Sequence, residues 1–370
     1  METKAAVLRE YNRPLTIETL ELEDPKANEV LVRVLACGVC HSDLHFMKGV
    51  LPFPTPSVLG HEIGGIVEKV GPGVNRVQVG DHVICCYMVS CGKCSQCMNG
   101  NPNLCETAMP YYLMGTLLDG TSRLQDKKGD SINHLLMASG FSQYTVTPED
   151  SVVVIPKDVP LDKASIIGCC VPTGYGAVVQ VAKMTPRSSV GVWGCGGVGL
   201  STITAASMMA AYPIIAVDLE GSKEKIAVEH GATHFIDSSK EDPVPKIQEL
   251  TGGKGADYAF ECVGDPGAQV QAFWAVRQAG TLILEGVAPM DSTTAFPTTF
   301  LTLHDKKVVG SLYGSQNNHL VIPKLVGLYM DGALKLDKMI TRKIKLEEIN
   351  EAFEAMEKRQ ILGRWVIAME

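Results

Sequence analysis

Ser189-Val190-Gly191-Val192-Trp193-Gly194-Cys195-Gly196-Gly197-Val198-Gly199 is the stretch that decides the fold. Its first five residues read as a short buried strand, and residues 200–211 read as a helix. The pattern G-x-G-x-x-G, formed by Gly194, Gly196 and Gly199 with Gly197 between, therefore sits in a strand–turn–helix setting. In that setting the glycines allow a tight turn, a close approach of backbone to a pyrophosphate, and tight helix–strand packing. The helix N-terminus offers unpaired N–H groups to the phosphates. A second strand reading ends in Asp218, 19 residues after Gly199. A carboxylate there accepts hydrogen bonds from the adenosine ribose hydroxyls and repels a 2′-phosphate, so the expected coenzyme is NAD and not NADP. Lys223, five residues further on, is placed to reach the same ribose.

Outward from this turn, short apolar runs alternate with helix-length segments. Strands are expected at 190–193, 214–217, 234–236, 257–262, 281–287 and 308–312. That alternation predicts an α/β Rossmann domain with a doubly wound parallel sheet over residues 176–312. Residues 1–175 read differently, as irregular and β-rich, with apolar runs such as 29–35 and 151–155 separated by turns like Gly71-Pro72-Gly73. The tail, 313–370, holds a helical stretch at 346–358 and a strand at 364–369, and is expected to pack on the first domain. The coenzyme domain is then an insertion, and the cleft beside it is the expected active site.

Composition narrows the function. With 33 basic and 41 acidic side chains the net charge is −8, and no Lys/Arg cluster offers a footprint for nucleic acid. Residues 1–10 carry no apolar block, and no run of about 18 apolar residues occurs. Neither secretion nor membrane insertion is expected; a cytoplasmic protein acting on a small molecule is. Twelve cysteines in so long a chain point to metal ligation more than to a disulfide scaffold.

Cys91-x2-Cys94-x2-Cys97-x7-Cys105 places four thiolates on one short lobe, close enough to close a tetrahedral S4 site. Four protein ligands leave no open position, so zinc there is structural. An iron–sulfur cluster, which also begins with C-x2-C-x2-C, is the competing occupant, and a pair of disulfides a weaker one.

Three dispersed motifs carry a family resemblance. Gly38-Val39-Cys40-His41-Ser42-Asp43-Leu44-His45, Gly60-His61-Glu62-Ile63-Gly64 and Gly168-Cys169-Cys170-Val171-Pro172-Thr173-Gly174 resemble those of zinc-dependent medium-chain alcohol dehydrogenases. The likeness spans essentially the whole chain. Asp119-Gly-Thr-Ser-Arg123 and Phe141-Ser-Gln-Tyr-Thr145 resemble the long-loop branch of liver-type and glutathione-dependent enzymes. The resemblance implies a GroES-like catalytic domain beside the Rossmann domain, NAD with two zinc ions per chain, and a homodimer. That family holds its catalytic zinc by two cysteines and a histidine with a fourth position open, which implies Cys40, His61 and Cys169 as ligands.

The resemblance further implies Glu62 as an acidic neighbour of the zinc, Asp43 as the acceptor that fixes the His61 ring, and Ser42 and His45 as a proton relay. It places Thr173, in a Pro-Thr-Gly turn, against the nicotinamide and Arg364 on the pyrophosphate. It implies Cys169, and not the adjacent Cys170, as the third ligand. Two departures stand out. His41 occupies a position where many relatives carry an arginine that pairs with the pyrophosphate, and the stretch 44–59 lacks the acidic pair of glutathione-dependent relatives. In that stretch Phe46, Met47, Leu51 and Phe53 either wall an apolar pocket or pack in the core. The expected reaction is reversible oxidation of a primary or secondary alcohol to an aldehyde or ketone with NAD. The rival readings are a glutathione-linked hydroxymethyl adduct as substrate, a zinc-free NAD reductase, and a catalytically silent binding protein of the same fold.

Overall fold

A computed structural model describes residues 1–369. The chain forms two compact units. One comprises Met1–Cys169, Gln316–Asp331 and the residues from Ile340 on; the other comprises Cys170–Ser315 and Gly332–Met339. The sequence reading drew these boundaries at 175/176 and 312/313 and kept the whole tail together. The structure gives Gly332–Met339 to the coenzyme unit, where Lys335 Nζ donates to Glu229 O at 2.9 Å.

The coenzyme unit is built on a six-stranded parallel sheet. Its order is His234–Asp237, Ile214–Asp218, Val190–Trp193, Ala256–Glu261, Val276–Leu284, Lys307–Gly310. Numbered along the chain this is 3-2-1-4-5-6, the doubly wound order with its switch point at the first strand. Val190–Trp193 and Ile214–Asp218 are buried at every position, as expected of parallel strands covered on both faces. The helices start where the sequence provides caps. Asp242 accepts from Val244 N–H at 3.0 Å and Asp265 from Ala268 N–H at 2.8 Å, each followed by proline at the first helical position. Trp193, Ile215, Ile247, Phe273 and Leu282 form the core between sheet and helices.

Two expectations change here. The fifth strand begins at Val276 rather than 281, running through Arg277–Gly280 with an irregularity opposite Ala256/Tyr258. The Pro-Thr-Gly segment expected as a turn is a helix, Cys170–Gly176, with Pro172 in its first turn, where its missing N–H costs nothing. A Cβ on Gly174 would stand 2.5 Å from Thr202 N, so the small residue lets this helix lie against helix Gly197–Met208.

The other unit is mostly antiparallel and irregular, with parallel pairing only of Ser57–Val58 with Ser131–His134 and of Ile340–Ile344 with Arg364–Ala368 among the described residues. Five short strands, Glu2–Leu8, Thr16–Leu22, Leu124–Gln125, Ser131–His134 and Ser57–Val58, close into a barrel. A seven-stranded sheet runs Val152–Ile155, His82–Cys85, Glu62–Val70, Glu29–Gly38, Arg364–Ala368, Ile340–Ile344, with Tyr144–Pro148 also pairing Glu29–Gly38. The tail also holds a helix the sequence reading did not single out, Asn318–Met330, capped by Asn317 and containing Pro323. Residues 346–358 divide into a 3-10 turn, Leu346–Glu348, and the helix Ile349–Glu357. Among the described residues no single helix is long and apolar enough to cross a membrane.

Candidate functional site

Sheet register assembles the first site. Gly38, the last residue of strand Glu29–Gly38, pairs with Glu62, the first of strand Glu62–Val70. Cys40 therefore leaves one strand beside the point where His61 enters the other. Val366 pairs with Gly38 on the opposite edge, which brings Arg364 alongside Val39 and Cys40. Gly168 packs so closely on strand His82–Cys85 that a Cβ would stand 2.7 Å from Cys85 O, and this fixes Cys169 next to Glu62 and Ile63. The ligand atoms of Cys40, His61, Glu62 and Cys169 all lie within 4.8 Å of one another, and all four residues are buried. Cys170 is not in this group; it is fully buried at the start of helix Cys170–Gly176.

Asp43, with 0% exposure, organises the centre. One carboxylate oxygen accepts from Gly60 N–H at 3.0 Å and faces His61 Nδ1 at 3.0 Å; the other accepts from Cys40 N–H at 3.2 Å. An acidic acceptor on Nδ1 places the proton there and leaves Nε2 as the donor atom for a metal. Hydrogen bonding to Cys169 holds the Cys40 thiol well below its ordinary range despite burial, with the charge of Arg364 and the His61 ring adding to the effect. Two thiolates and an imidazole, each oriented by neighbours, are a donor set that fits zinc in softness and count.

Glu62 and Arg364 form a buried ion pair. Arg364 Nη2 donates to Glu62 Oε1 at 2.8 Å, lies 3.7 Å from Cys40 Sγ, and Nη1 donates to Val39 O at 3.3 Å. Burial pushes the Glu62 carboxyl up to about 7, with Arg364 opposing. Arg364 was expected on the pyrophosphate; within its own unit it is committed to Glu62 and to the backbone beside Cys40. Gly38 makes this possible, since a Cβ there would stand 2.0 Å from Glu62 Oε2.

Ser42 and His45 stand one turn apart on helix His41–Lys48, so they share a face. Ser42 Oγ lies 3.7 Å from Cys40 Sγ. Burial lowers the His45 pKa from its ordinary value, and its ring meets the exposed His41 ring edge-on at 5.2 Å. Phe46, Met47 and Phe53 are buried, with Phe46 and Phe53 in edge contact at 5.5 Å, and Leu51 is half-buried. Core packing accounts for the three buried residues. The sequence reading passed over Tyr87, whose ring stands edge-on to His61 at 5.3 Å and whose hydroxyl hydrogen-bonds Cys169. No spacing rule marks it; only the turn after strand His82–Cys85 brings it there.

The second cluster is local. Cys91, Cys94, Cys97 and Cys105 hold their sulfurs within 4.8 Å of one another. Cys94 Sγ and Cys105 Sγ are 4.0 Å apart, close to the roughly 3.8 Å edge of a ZnS4 tetrahedron. Backbone N–H groups of Cys91 and Cys94 donate to Cys105 Sγ and Cys91 Sγ, each at 3.3 Å. Thr107 Oγ1 adds a third bond, to Cys91 Sγ at 3.3 Å, and lowers that thiol's pKa. Thiolates are the species such donors favour. All twelve cysteines are free of disulfides.

In the coenzyme unit, Gly194 adopts φ +90°, and a Cβ on Gly199 would fall 1.7 Å from Gly194 O, so neither position accepts a side chain. A Cβ on Gly196 would meet nothing within 4 Å: the space before the helix N-terminus at Gly197 is open. Asp218 ties the turn to the next strand by accepting from Cys195 N–H at 2.7 Å, and Lys223 Nζ reaches its Oδ2 at 3.0 Å. Thr173 is buried in helix Cys170–Gly176 of this unit.

Residues 26–157 match the family described as "Alcohol dehydrogenase GroES-like domain" and residues 197–327 "Zinc-binding dehydrogenase". An S-(hydroxymethyl)glutathione dehydrogenase of Paracoccus denitrificans is 38% identical over 96% of this chain and 97% of its own length. A class-3 alcohol dehydrogenase of Cereibacter sphaeroides is 39% identical with the same coverage, 96% and 97%. The crystal structure of benzyl alcohol dehydrogenase from Acinetobacter calcoaceticus superposes with a TM-score of 0.94 at 35% identity, covering 100% of both chains. The chain belongs to the zinc-dependent medium-chain alcohol dehydrogenase family. It is accordingly an oxidoreductase acting on CH–OH donors.

Proposed function

We propose that the enzyme interconverts a primary or secondary alcohol and its aldehyde or ketone with NAD, using Cys40, His61 and Cys169 to hold the catalytic zinc and the four-cysteine lobe to hold a second, structural zinc. The observation that carries this reading is the buried Cys40–His61–Cys169 cluster with Asp43 fixed behind the histidine. Zinc bound there supplies Lewis acidity to the substrate hydroxyl, and NAD the hydride acceptor.

The chain's own residues do the rest. Asp43 keeps the Nδ1 proton on His61, so that Nε2 would be the atom offered to the metal. Ser42 stands beside Cys40 and takes the substrate hydroxyl proton, which His45, whose pKa burial lowers, passes toward water. Glu62, paired with Arg364, sits within reach of the ligand atoms as a neighbouring carboxyl. Asp218 and Lys223 would hold the adenosine ribose, the glycine turn the pyrophosphate, and Thr173 the nicotinamide.

The absence of the acidic pair from 44–59 favours a free alcohol over a glutathione adduct as substrate, although the name of one relative points to the adduct. A cytoplasmic location is supported by the free cysteines, which need reducing surroundings. A homodimer is supported by the outer strand Lys307–Gly310, paired on one side only, with Phe300 and Leu303 exposed just before it.

The test is NADH formation with a panel of primary, secondary, allylic and aromatic alcohols, and with formaldehyde in the presence and absence of glutathione. Turnover of free alcohols, with formaldehyde oxidation not stimulated by glutathione, is expected. Strict glutathione dependence overturns the substrate assignment.

A further inference from the structure

The coenzyme unit contains a buried carboxyl group, Glu285, outside both the zinc ligands and the glycine turn. In a sheet ordered 3-2-1-4-5-6 the two nucleoside halves of a dinucleotide lie on opposite sides of the first strand, beyond the carboxyl ends of the strands. Asp218, ending Ile214–Asp218, marks the adenosine side. The nicotinamide side is then the pair of strand ends after Ala256–Glu261 and Val276–Leu284. Cys262 and Glu285 are the residues that follow those two ends.

Glu285 is 7% exposed. Its Oε1 accepts from Thr202 Oγ1 at 3.1 Å and from the Cys262 thiol at 3.5 Å. Thr202 belongs to helix Gly197–Met208, which begins at the glycine turn. The groups facing Glu285 are thus a hydroxyl from that helix, a thiol from the neighbouring strand end, and the carboxyl of Glu261 on the same strand. Glu261 is already occupied by the N–H groups of Val263 and Gly264 at 2.6 and 2.8 Å and by Gln269 Nε2 at 3.2 Å. Among the described residues no cation pairs with Glu285, whereas Asp218 has Lys223 and Asp257 has Arg277. Burial pushes the Glu285 carboxyl up to about 8, against the hydrogen bonds from Thr202 and Cys262, with the charge of Glu261 adding.

A carboxylate buried without a cation is costly. The oxidised nicotinamide ring carries a positive charge that the reduced ring lacks, so only one redox form of the coenzyme offsets that cost. We propose that Glu285 reads the charge of the nicotinamide: ionised, it favours NAD+ over NADH, and protonated, it withdraws that preference. By linkage the effect is reciprocal. Bound NAD+ favours the ionised carboxyl and NADH the protonated one, and each unit of displacement between the two complexes is a tenfold change in relative affinity. This places a pH-dependent control of coenzyme exchange in the Rossmann unit, apart from the zinc ligands. It rests on the NAD-dehydrogenase reading above.

The test uses the zinc-loaded enzyme and its Glu285→Gln variant, whose amide oxygen still accepts from Thr202 and Cys262. Dissociation constants for NAD+ and for NADH are measured between pH 6.5 and 9.5 (roughly the window bracketing the Glu285 titration). Groups other than Glu285 titrate in both proteins, so the difference between their profiles isolates it. The wild-type ratio Kd(NADH)/Kd(NAD+) is expected to rise about tenfold more than that of the variant across this range. Should the variant not fold, Thr202→Ala removes a hydrogen bond that lowers the Glu285 pKa and is expected to move the midpoint of the wild-type profile to higher pH. Coenzyme binding with parallel profiles in wild type and Glu285→Gln, or an unmoved midpoint in Thr202→Ala, overturns the proposal while leaving the dehydrogenase reading intact. Failure of both proteins to bind either coenzyme overturns both.

Discussion

Replacing each of the adjacent Cys169 and Cys170 by alanine separates ligand from packing. Cys169 ends a 3-10 segment with φ −151° and ψ −77°, and its sulfur belongs to the Cys40–His61 group. Cys170 is the next residue, yet it opens a helix in the other unit and is fully buried. Removing its sulfur deletes one heavy atom from a packed interior, a loss of about 1 kcal/mol from transfer and cavity effects together. For a chain of this size that lowers Tm by roughly 1–3 °C and leaves the metal sites alone. Removing the Cys169 sulfur leaves two ligands where a stable catalytic zinc site needs three. Lewis-acid activation is lost with the ion, and kcat/KM is expected to fall by at least about 10⁴-fold, or some 5.5 kcal/mol of transition-state stabilisation. Metal analysis, thermal melting and turnover on one good alcohol substrate give the readout. Cys170→Ala should keep two zinc ions and most of its activity, and Cys169→Ala should keep one zinc and a folded chain. An inactive one-zinc Cys170→Ala beside an active Cys169→Ala would refute the ligand assignment and move the register of Thr173 with it.

Cys94→Ser opens the lobe cluster at the sulfur that stands 4.0 Å from Cys105; we expect one zinc per chain and a lower melting temperature, and a variant as stable as wild type would show that the lobe holds no structural metal. The Asp218 carboxylate, held by Cys195 N–H and Lys223, should make NAD at least about a hundredfold better than NADP in kcat/KM. Asp218→Ser, which frees Lys223 for a 2′-phosphate, should narrow that ratio, and equal efficiency of the two coenzymes in the wild type would contradict the assignment.

The coenzyme unit was the more legible half because its periodicity is local. Strand Val190–Trp193 is bounded by Ser189 and the glycine turn, and its limits could be read directly. The start of the fifth strand is hidden because Arg277-Gln278-Ala279-Gly280 looks like a turn, with Ala279 indeed at φ +56°; these four residues bulge out between the Val276–Ala256 and Thr281–Tyr258 pairs. Helix Cys170–Gly176 was read as a turn because Pro172 and two glycines suggest one; packing on helix Gly197–Met208 overrides that preference. In the catalytic unit, two-residue strands such as Leu124–Gln125 carry no periodic signal at all. The site residues were found through motif resemblance, but the Glu62–Arg364 pair was not. It depends on the pairing of Val366 with Gly38 and of Gly38 with Glu62, and nothing near either residue in the chain announces it.

The two cysteine-containing clusters differ in how far apart their members lie along the polypeptide. Cys91 to Cys105 spans a few turns of chain, so bringing those sulfurs together closes a short loop at small entropic cost. Cys40 and Cys169 are separated by about 130 residues, and their meeting must await pairing of the strands between them, a slower, non-local event. During synthesis the lobe is complete once Cys105 has left the ribosome, whereas the Cys40–His61 pair must wait for Cys169 to emerge. A nascent chain would then acquire its two zinc ions in a fixed sequence, the first as a folding aid and the second only as the finished enzyme takes shape.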